Sequence, residues 1–251
     1  MPTLDAIYNQ SQADIDKFIK QFDGEVEKVF ERVRRIATAN LSGLSPDDVL
    51  QYEFVWRESL QQAGYYNLVN DLIDTQFDST YSGILQYFEA GGLATAFTAD
   101  DAKKIQILKQ MKRDFFIRLG DDVGLAVKRE LYKYVISDAS VDTMATGIAQ
   151  TLEGNNLAKY SKTYARTAAQ NFRQEVIDLR ASDIEDKVWV YVGPNDGKTR
   201  DFCRRVIKDN KCYNDSDKSK IATDSDRAWN CRHDFVAMDK EEARFNGYKC
   251  S

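Results

Sequence analysis

Four side chains that bind soft metal ions occur near the end of the chain, at Cys203, Cys212, Cys231 and His233. His233 is the single histidine of the sequence. Thiolate and imidazole are donors that tetrahedral zinc prefers, and three cysteines with one histidine form an accepted structural set. Because Cys231 and His233 are two residues apart, both would face the same side of a strand and could share one ion. A structural zinc is therefore one candidate cofactor of this region.

The loose spacing of these residues leaves other interpretations open. Neither Cys203 with Cys212 nor Cys231 with His233 forms the CxxC knuckle of a strong zinc motif. Ordinary buried cysteines, which act as small hydrophobic groups, would produce the same pattern, and a disulfide between Cys203 and Cys231 is a further alternative. Without a recognisable secretion signal, free thiols or a metal site are favoured over disulfides, and Cys250 beside the terminus is expected to be frayed.

The single histidine limits the catalytic chemistry open to the chain. A serine or cysteine nucleophile would have to use His233 as its general base. Cys231 is only two residues away, and side chains at that spacing do not usually act together as nucleophile and base. The sequence also lacks an HExxH motif, a Walker A loop and a dinucleotide-binding glycine fingerprint. We therefore predict that the chain is not an enzyme. The alternative from this class is a zinc-dependent cytosolic enzyme with a metal-bound water on Cys203, Cys231 and His233.

A second set of residues has the chemistry to contact DNA phosphates. These basic residues are Lys159, Lys162, Arg166, Arg173, Arg180, Arg200, Arg204 and Arg205. From Lys187 onward the chain holds 14 Lys and Arg against 11 Asp and Glu, whereas the preceding residues hold 21 against 29. A chain that coats nucleic acid over a broad surface would be basic throughout, so any DNA contact must be local. Solvated helix flanks explain the same residues, and we favour that explanation.

The composition favours a helical, well-packed chain. Hydrophobic residues make up 43% and charged residues 30%, with only three prolines and thirteen glycines. Apolar runs are too short for a membrane segment, and the first residues lack the pattern of a signal peptide, so we expect synthesis in the cytoplasm.

Apolar residues recur at intervals of three and four over the first 180 or so residues, which predicts long amphipathic helices. The predicted helices cover residues 11–36, 67–90, 121–136, 140–152 and 157–179, with two more that start at Ser45 and Thr98. Capping pairs indicate starts at Ser11 with Asp14 and at Thr98 with Asp101. An N-cap at Ser45, followed by Pro46 and two early carboxylates, indicates another start, and early carboxylates indicate one at Asp121.

The character of the sequence changes near residue 183. Residues 188–192 and 235–238 are rich in β-forming side chains, which predicts two strands. Residues 193–197 are rich in turn formers, and residues 199–207 suit a short helix. Residues 208–227 are polar, which suggests a loop. We therefore predict a mainly α fold, in which a long-helix region at residues 1–182 is followed by a small α+β Cys/His-containing module at residues 183–251.

Two segments of this module carry a more specific signal than the metal pattern. Residues 189–203 read WVYVGPNDGKTRDFC and residues 229–233 read WNCRH. They resemble the conserved block of phage head morphogenesis proteins of the Mu F type. In that family a strand leads into an Asp-x-x-Thr-Arg turn and a Cys or His, and the block ends on Asn-Cys-Arg-Cys or Asn-Cys-Arg-His. The residues that carry the resemblance are Gly193, Pro194, Asp196, Thr199, Arg200, Asn230 and Arg232.

The resemblance covers about residues 160–238, because an Arg-Thr pair that the family carries on the preceding helix is matched by Arg166-Thr167. Two features depart from the family pattern. Residues 224–229 replace the usual proline-rich approach to the final cysteine, and Ala168 stands where an acidic residue is common. These departures favour a shared fold and role over shared fine chemistry.

The resemblance implies a minor head protein, a structural component of a tailed-phage head associated with the portal or the capsid interior. The implied partners are the portal protein and other phage head proteins, with packaged DNA as a further contact, and some relatives are ejected with the genome. The implied location is the virion. Within the block, Asp196 and Thr199 can cap the short helix, and Arg200 and Arg232 could pair with Asp196 or Asp201. For each arginine alone, a solvated charged surface is the interpretation that we favour.

Overall fold

The computed structural model describes residues 4–39, 41, 45–90, 98–137, 139–154, 157–182, 184–223 and 231–250. In chain order the elements are α1 (Leu4–Ala39), α2 (Pro46–Leu50), α3 (Tyr52–Gln62), α4 (Tyr65–Asp71), a π-helical turn (Leu72–Gln76), α5 (Phe77–Ala90), α6 (Ala99–Ile136), α7 (Val141–Gly154), α8 (Leu157–Ala181), β1 (Lys187–Val192), α9 (Asp201–Asp209), β2 (Cys212–Tyr213), α10 (Asp215–Ala222), β3 (Asp234–Asp239) and α11 (Lys240–Phe245). The predicted fold class, long helices followed by a small α+β module, is confirmed.

Two predicted helix starts are confirmed as capping boxes, in which a hydroxyl and a carboxylate satisfy each other's backbone N–H groups. At the start of α2, the Ser45 hydroxyl accepts from the Asp48 N–H at 3.2 Å and Asp48 accepts from the Ser45 N–H at 2.8 Å. At the start of α6, Thr98 and Asp101 make the same exchange at 3.1 and 2.9 Å.

Three other predicted boundaries are wrong. The first helix begins at Leu4, so Ser11 lies inside it. The two predicted helices that include Thr98 and Asp121 are one helix, α6, because its buried apolar side chains continue past that point. Asp121 therefore does not cap a helix; it accepts two hydrogen bonds from Arg57, at 3.0 and 2.9 Å. The predicted helix at 67–90 is divided into α4 and α5 by the π-helical turn.

The chain forms two compact units, and α1, α6 and α8 each contribute residues to both. The sheet unit consists of residues 1–17, 76–109 and 166–251, and the helical unit consists of residues 18–75 and 110–165. The module at 183–251 thus belongs to a larger unit that also includes helical segments. The predicted domain boundary at residue 182/183 stays a prediction about which segments fold independently.

The core of the helical unit depends on close approach to the backbone of α6. Trp56 is fully buried and its indole N–H donates to the carbonyl oxygen of Gly120 at 2.9 Å. A Cβ at Gly124 would lie 2.1 Å from the Trp56 ring, so only glycine allows the indole to pack there. Tyr65 is also buried and donates its hydroxyl to the Phe116 carbonyl at 2.7 Å. These contacts hold α3 and α4 against α6.

The sheet unit contains one antiparallel three-stranded sheet in the order β2-β1-β3. The predicted strands at 188–192 and 235–238 are confirmed as β1 and β3, which pair from Lys187↔Asp239 to Val192↔Asp234. The side-chain amide of Gln174, on α8, receives the Phe235 N–H at 2.8 Å and donates to the Phe235 carbonyl at 3.1 Å. Helix α8 therefore occupies hydrogen-bonding groups of β3, an edge strand that would otherwise need another partner.

The prediction of a loop at 208–227 is wrong over its first part, which holds β2 and α10. The Asn214 side chain caps α10 by accepting from the Asp217 N–H at 2.8 Å. This helix is too polar to show an apolar stripe. It packs instead through Lys218, whose ammonium lies 3.7 Å from the centre of the Trp189 ring. Residues 224–230 lie outside the described residues.

Among the helices of the described ranges, none has both the length and the apolar character needed to cross a membrane.

Candidate functional site

Three of the predicted metal ligands meet at one end of the sheet. Cys203 lies in the first turn of α9, and Cys231 and His233 lie just before β3. The two sulfurs are 4.0 Å apart, and the Cys231 sulfur is 3.7 Å from Nδ1 of His233. One ligand atom from each residue lies within 4.8 Å of the others, so this group could hold a metal ion. Cys203 and His233 are buried and Cys231 is half-buried.

The imidazole of His233 is oriented by the turn that follows β1. Its Nε2 lies 2.9 Å from the carbonyl oxygen of Pro194. A carbonyl only accepts hydrogen bonds, so Nε2 carries the proton and Nδ1 of the neutral ring offers a lone pair. The ring also stacks on Tyr191, with centroids 5.5 Å apart and planes 11° apart. A Cβ at Gly193 would lie 2.2 Å from this ring, so glycine is required beneath it.

The Tyr191 hydroxyl lies beside both sulfurs, at 3.4 Å from Cys203, to which it donates, and at 3.8 Å from Cys231. Two causes raise the pKa of the Cys203 thiol well above its usual value. The larger is the hydrogen bond with the Cys231 sulfur, and the second is burial of the thiol. Cys203 is therefore a protonated thiol at neutral pH unless a cation is present. Tyr191 was not among the predicted site residues, although its strand position places it on the same face as Trp189 and Gly193.

The structure corrects the predicted role of Cys212, which forms a disulfide with Cys250. Cys212 pairs with Val190 in the sheet, and this register sets the position of β2 beside β1. The Cys212 N–H donates to the Lys249 carbonyl at 3.2 Å, and this hydrogen bond holds residues 249–250 next to β2. Cys212 is thus not a member of the Cys203, Cys231 and His233 group, and the expected fraying of Cys250 is wrong. No sequence pattern specifies which cysteines pair, because the pairing depends on this tertiary contact.

The predicted turn residues form a hydrogen-bonded structure before α9. The Thr199 hydroxyl donates to the Pro194 carbonyl at 2.7 Å and accepts from the Asp196 N–H at 2.9 Å. Asp196 accepts from the Lys198 N–H at 2.9 Å. The prediction that Asp196 and Thr199 cap α9 is wrong, because Arg200 is the N-cap residue and the two side chains close the turn that precedes it.

The predicted ion pair of Arg232 with Asp196 is confirmed, at 2.5 and 2.8 Å. The Arg232 hydrogen bonds are the main cause that holds the pKa of Asp196 well below its usual value. This pair ties the segment of Cys231 and His233 to the turn. Asn230, the remaining motif residue, lies outside the described residues.

Three of the basic residues of α8, Arg166, Arg173 and Arg180, form ion pairs with carboxylates. Arg166, Arg173 and Arg180 are seven residues apart, and their side chains are 14, 5 and 3% exposed. They pair with Asp16, Asp234 and Asp101, at 2.7, 3.5 and 3.7 Å respectively. The phosphate-contacting role predicted for these three arginines is therefore replaced by a structural one within the sheet unit. The side chains of Lys159 and Lys162 lie outside the described residues.

The other predicted DNA-contacting residues remain at the surface. Arg200, Arg204 and Arg205 are all exposed, at the start of α9. Arg204 also donates to the Thr199 carbonyl at 2.9 Å, which fixes part of its side chain against the turn.

The chain matches no protein-family model, no curated protein and no solved structure. The resemblance to head morphogenesis proteins of the Mu F type therefore stays a prediction that depends on the residues of the motif.

Proposed function

We propose that this chain is a minor head protein of a tailed phage, a structural component associated with the portal or the capsid interior. The observation that carries the proposal is the ion pair between Asp196 and Arg232. Each residue belongs to one of the two sequence segments through which the chain resembles the family. Their contact supports a single physical unit, in which the turn and the closing Cys-Arg-His segment depend on each other.

Contacts between the same two segments support this interpretation further. His233 contacts Pro194, and Cys231 lies beside Cys203. Two chance matches of short motifs would not have to meet in space, whereas the two parts of one folding unit would. The proposed role of the unit is to fold the end of a helical assembly protein.

The proposed partner is the portal protein, and the helical unit offers a surface for it. Leu50 and Phe54 are 61 and 66% exposed and lie at the junction of α2 and α3. Two such side chains four residues apart form the docking surface that we propose for the portal protein, whereas a single exposed apolar side chain is common on protein surfaces. The proposed location is the virion, at the portal vertex or inside the head, where the protein would also meet packaged DNA.

Co-expression with the portal protein of the same phage tests this role. The tagged chain is expected to retain portal through affinity purification and size exclusion. The double variant Leu50→Ser/Phe54→Ser is expected to retain at least tenfold less portal. The variant Ile136→Ser removes an apolar side chain that is 84% exposed, and serves as the matched control. Failure of the unmodified chain to retain portal or any other head protein would refute the proposal.

We also propose zinc as a structural cofactor of the module. A small unit with few strands gains folding free energy when a metal joins distant segments. The Cys203, Cys231 and His233 group joins α9 to the segment before β3. Elemental analysis of protein purified without chelators should find about one zinc per chain, and zinc well below this ratio would remove the cofactor from the proposal.

Contact with DNA is a second candidate activity, favoured by the exposed basic residues at the start of α9. Among the described residues, the candidates are Arg200, Arg204 and Arg205, since Arg166, Arg173 and Arg180 pair with carboxylates. Lys159 and Lys162 stay predicted contacts. A contact of this size would bind phosphates without reading sequence.

A further inference from the structure

We infer that zinc is held by the sulfurs of Cys203 and Cys231 and by Nδ1 of His233, with Cys212 excluded from the ligand set. This inference rests on the structural zinc proposed above and specifies its ligands. It also assigns Pro194 and Tyr191 as the residues that orient those ligands.

The three donors would occupy three of the four positions of a tetrahedral zinc site, and a water molecule would occupy the fourth. With zinc about 2.3 Å from sulfur and about 2.0 Å from nitrogen, two sulfurs lie roughly 3.8 Å apart, and a sulfur and a nitrogen roughly 3.5 Å apart. The sulfurs of Cys203 and Cys231 are 4.0 Å apart, and Nδ1 of His233 is 3.7 Å from Cys231. These two distances exceed the bound values by about 0.2 Å, while the third pair, the Cys203 sulfur and the His233 ring nitrogen, lies within 4.8 Å. Binding the ion therefore requires the Cys203 and His233 side chains to close by up to about 1 Å.

The hydrogen bond of His233 to Pro194 selects the ligating nitrogen. Histidines that bind metals almost always donate their other ring N–H to a carboxylate, a carbonyl or water, which fixes the tautomer and the ring orientation. Here Nε2 donates to the Pro194 carbonyl at 2.9 Å, and Nδ1 lies next to the Cys231 sulfur. Because Gly193 leaves room for the ring, the turn that carries part of the family resemblance also positions the imidazole.

The charges of the group suit a divalent ion in a buried position. Two thiolates balance the charge of zinc, so the loaded site has no net charge to bury. The Tyr191 hydroxyl donates to the Cys203 sulfur at 3.4 Å and would stabilise its thiolate form. Among the described residues, no further Cys, His, Asp or Glu joins these three.

The disulfide of Cys212 with Cys250 is a second, separate crosslink. It ties β2 to residue 250, whereas the metal would tie α9 to the segment before β3. The two crosslinks therefore share no residue. Removal of one should leave the other intact, and this independence gives the experiment its matched control.

X-ray absorption at the zinc edge, measured on the full unmodified chain, counts the ligands without any substitution. The inference predicts two sulfur neighbours at about 2.3 Å and nitrogen or oxygen neighbours at about 2.0 Å. Three or more sulfurs would bring Cys212 or Cys250 into the site and overturn the inference. A shell of nitrogen and oxygen alone would overturn it as well.

Substitutions then assign the ligands. Cys203→Ser, Cys231→Ser and His233→Ala should each lower the zinc content at least tenfold at equal protein concentration, with excess competing chelator present. The double variant Cys212→Ser/Cys250→Ser should keep the unmodified ratio. Zinc retained by the first three variants, or lost from the double variant, would contradict the assignment.

The outcomes separate this inference from the proposals on which it depends. An unmodified chain without zinc refutes the structural cofactor itself. A chain that holds zinc through other donors refutes only the ligand set. The portal-retention assay decides the head-protein role independently of both results.

Discussion

Asp196 and Arg232 lie 36 residues apart in the sequence and are joined by two hydrogen bonds, at 2.5 and 2.8 Å. Arg232 is flanked by Cys231 and His233, so this ion pair holds two proposed zinc ligands against the turn. The pair is partly exposed, and its effect on overall stability should accordingly be modest.

The Asp196 pair should make stability depend on pH in the acidic range. The pKa of Asp196 is lowered in the folded state, mainly by Arg232. Its contribution is therefore complete above the unfolded pKa, about 4, and is lost as the pH falls below that value. Urea midpoints of the unmodified chain and of Asp196→Asn should differ at pH 7, and the difference should shrink below about pH 4. A difference of constant size down to about pH 2 would contradict the assignment.

Gly193→Ala should destabilise the module and weaken metal binding. The added Cβ would lie 2.2 Å from the His233 ring and 3.0 Å from its Cα, so the ring must move away from the Pro194 carbonyl. Overpacking of this kind costs about 1–3 kcal/mol. Gly197→Ala is the matched control, since nothing lies within 4 Å of the Cβ it adds. Equal urea midpoints and equal zinc contents for the two variants would show that the ring does not depend on Gly193.

The buried ion pair of Arg173 with Asp234 should contribute far more to the free energy of unfolding than an exposed arginine does. Both side chains are buried, 5 and 1% exposed. Removing one partner leaves a buried charge, which costs roughly 3–5 kcal/mol. Arg173→Leu and Asp234→Leu should each lower the free energy of unfolding by that amount, and the double variant should lose less than their sum. Arg205→Leu, at the surface, should change it by well under about 1 kcal/mol. Additive losses in the double variant would show that the pair is not coupled.

DNA binding should depend on the exposed arginines at the start of α9 and not on Arg166, Arg173 and Arg180, which pair with carboxylates. The affinity for duplex DNA should fall with salt, and Arg204→Ala/Arg205→Ala should weaken binding and reduce the salt slope by about 2. Lys17→Ala/Lys20→Ala, on α1, is the control of equal charge. Gel shifts across a salt series measure both quantities. An unmodified chain that shows no shift even at low salt would remove DNA from the proposed partners.

Local chemistry made much of the helical fold predictable. Ser45 and Thr98 mark helix starts because their capping partners lie three residues away, within the same turn. Asp121 misled the prediction because a carboxylate at a helix start and one inside a helix look alike in sequence. Its partner, Arg57, lies 64 residues away.

The candidate site was predictable only in part, because most of its contacts join distant segments. The residue types of Cys203, Cys231 and His233 made a metal site one of the predicted alternatives, but their spacing could not separate it from buried thiols or a disulfide. The pairing of Cys212 with Cys250 could not be predicted, since it depends on where β2 lies against β1. The arginines of α8 likewise give no sign in sequence that they pair with three distant carboxylates.

The central claim is that the chain is built into phage heads. Quantitative mass spectrometry of gradient-purified proheads and virions, from cells infected with the phage that encodes the chain, tests it most directly. The account predicts the chain in proheads, virions or both, at a fixed ratio to the portal protein and well above cytoplasmic contaminants. Its absence from both particles, with the chain abundant in the unassembled fraction of the same cells, would contradict the account.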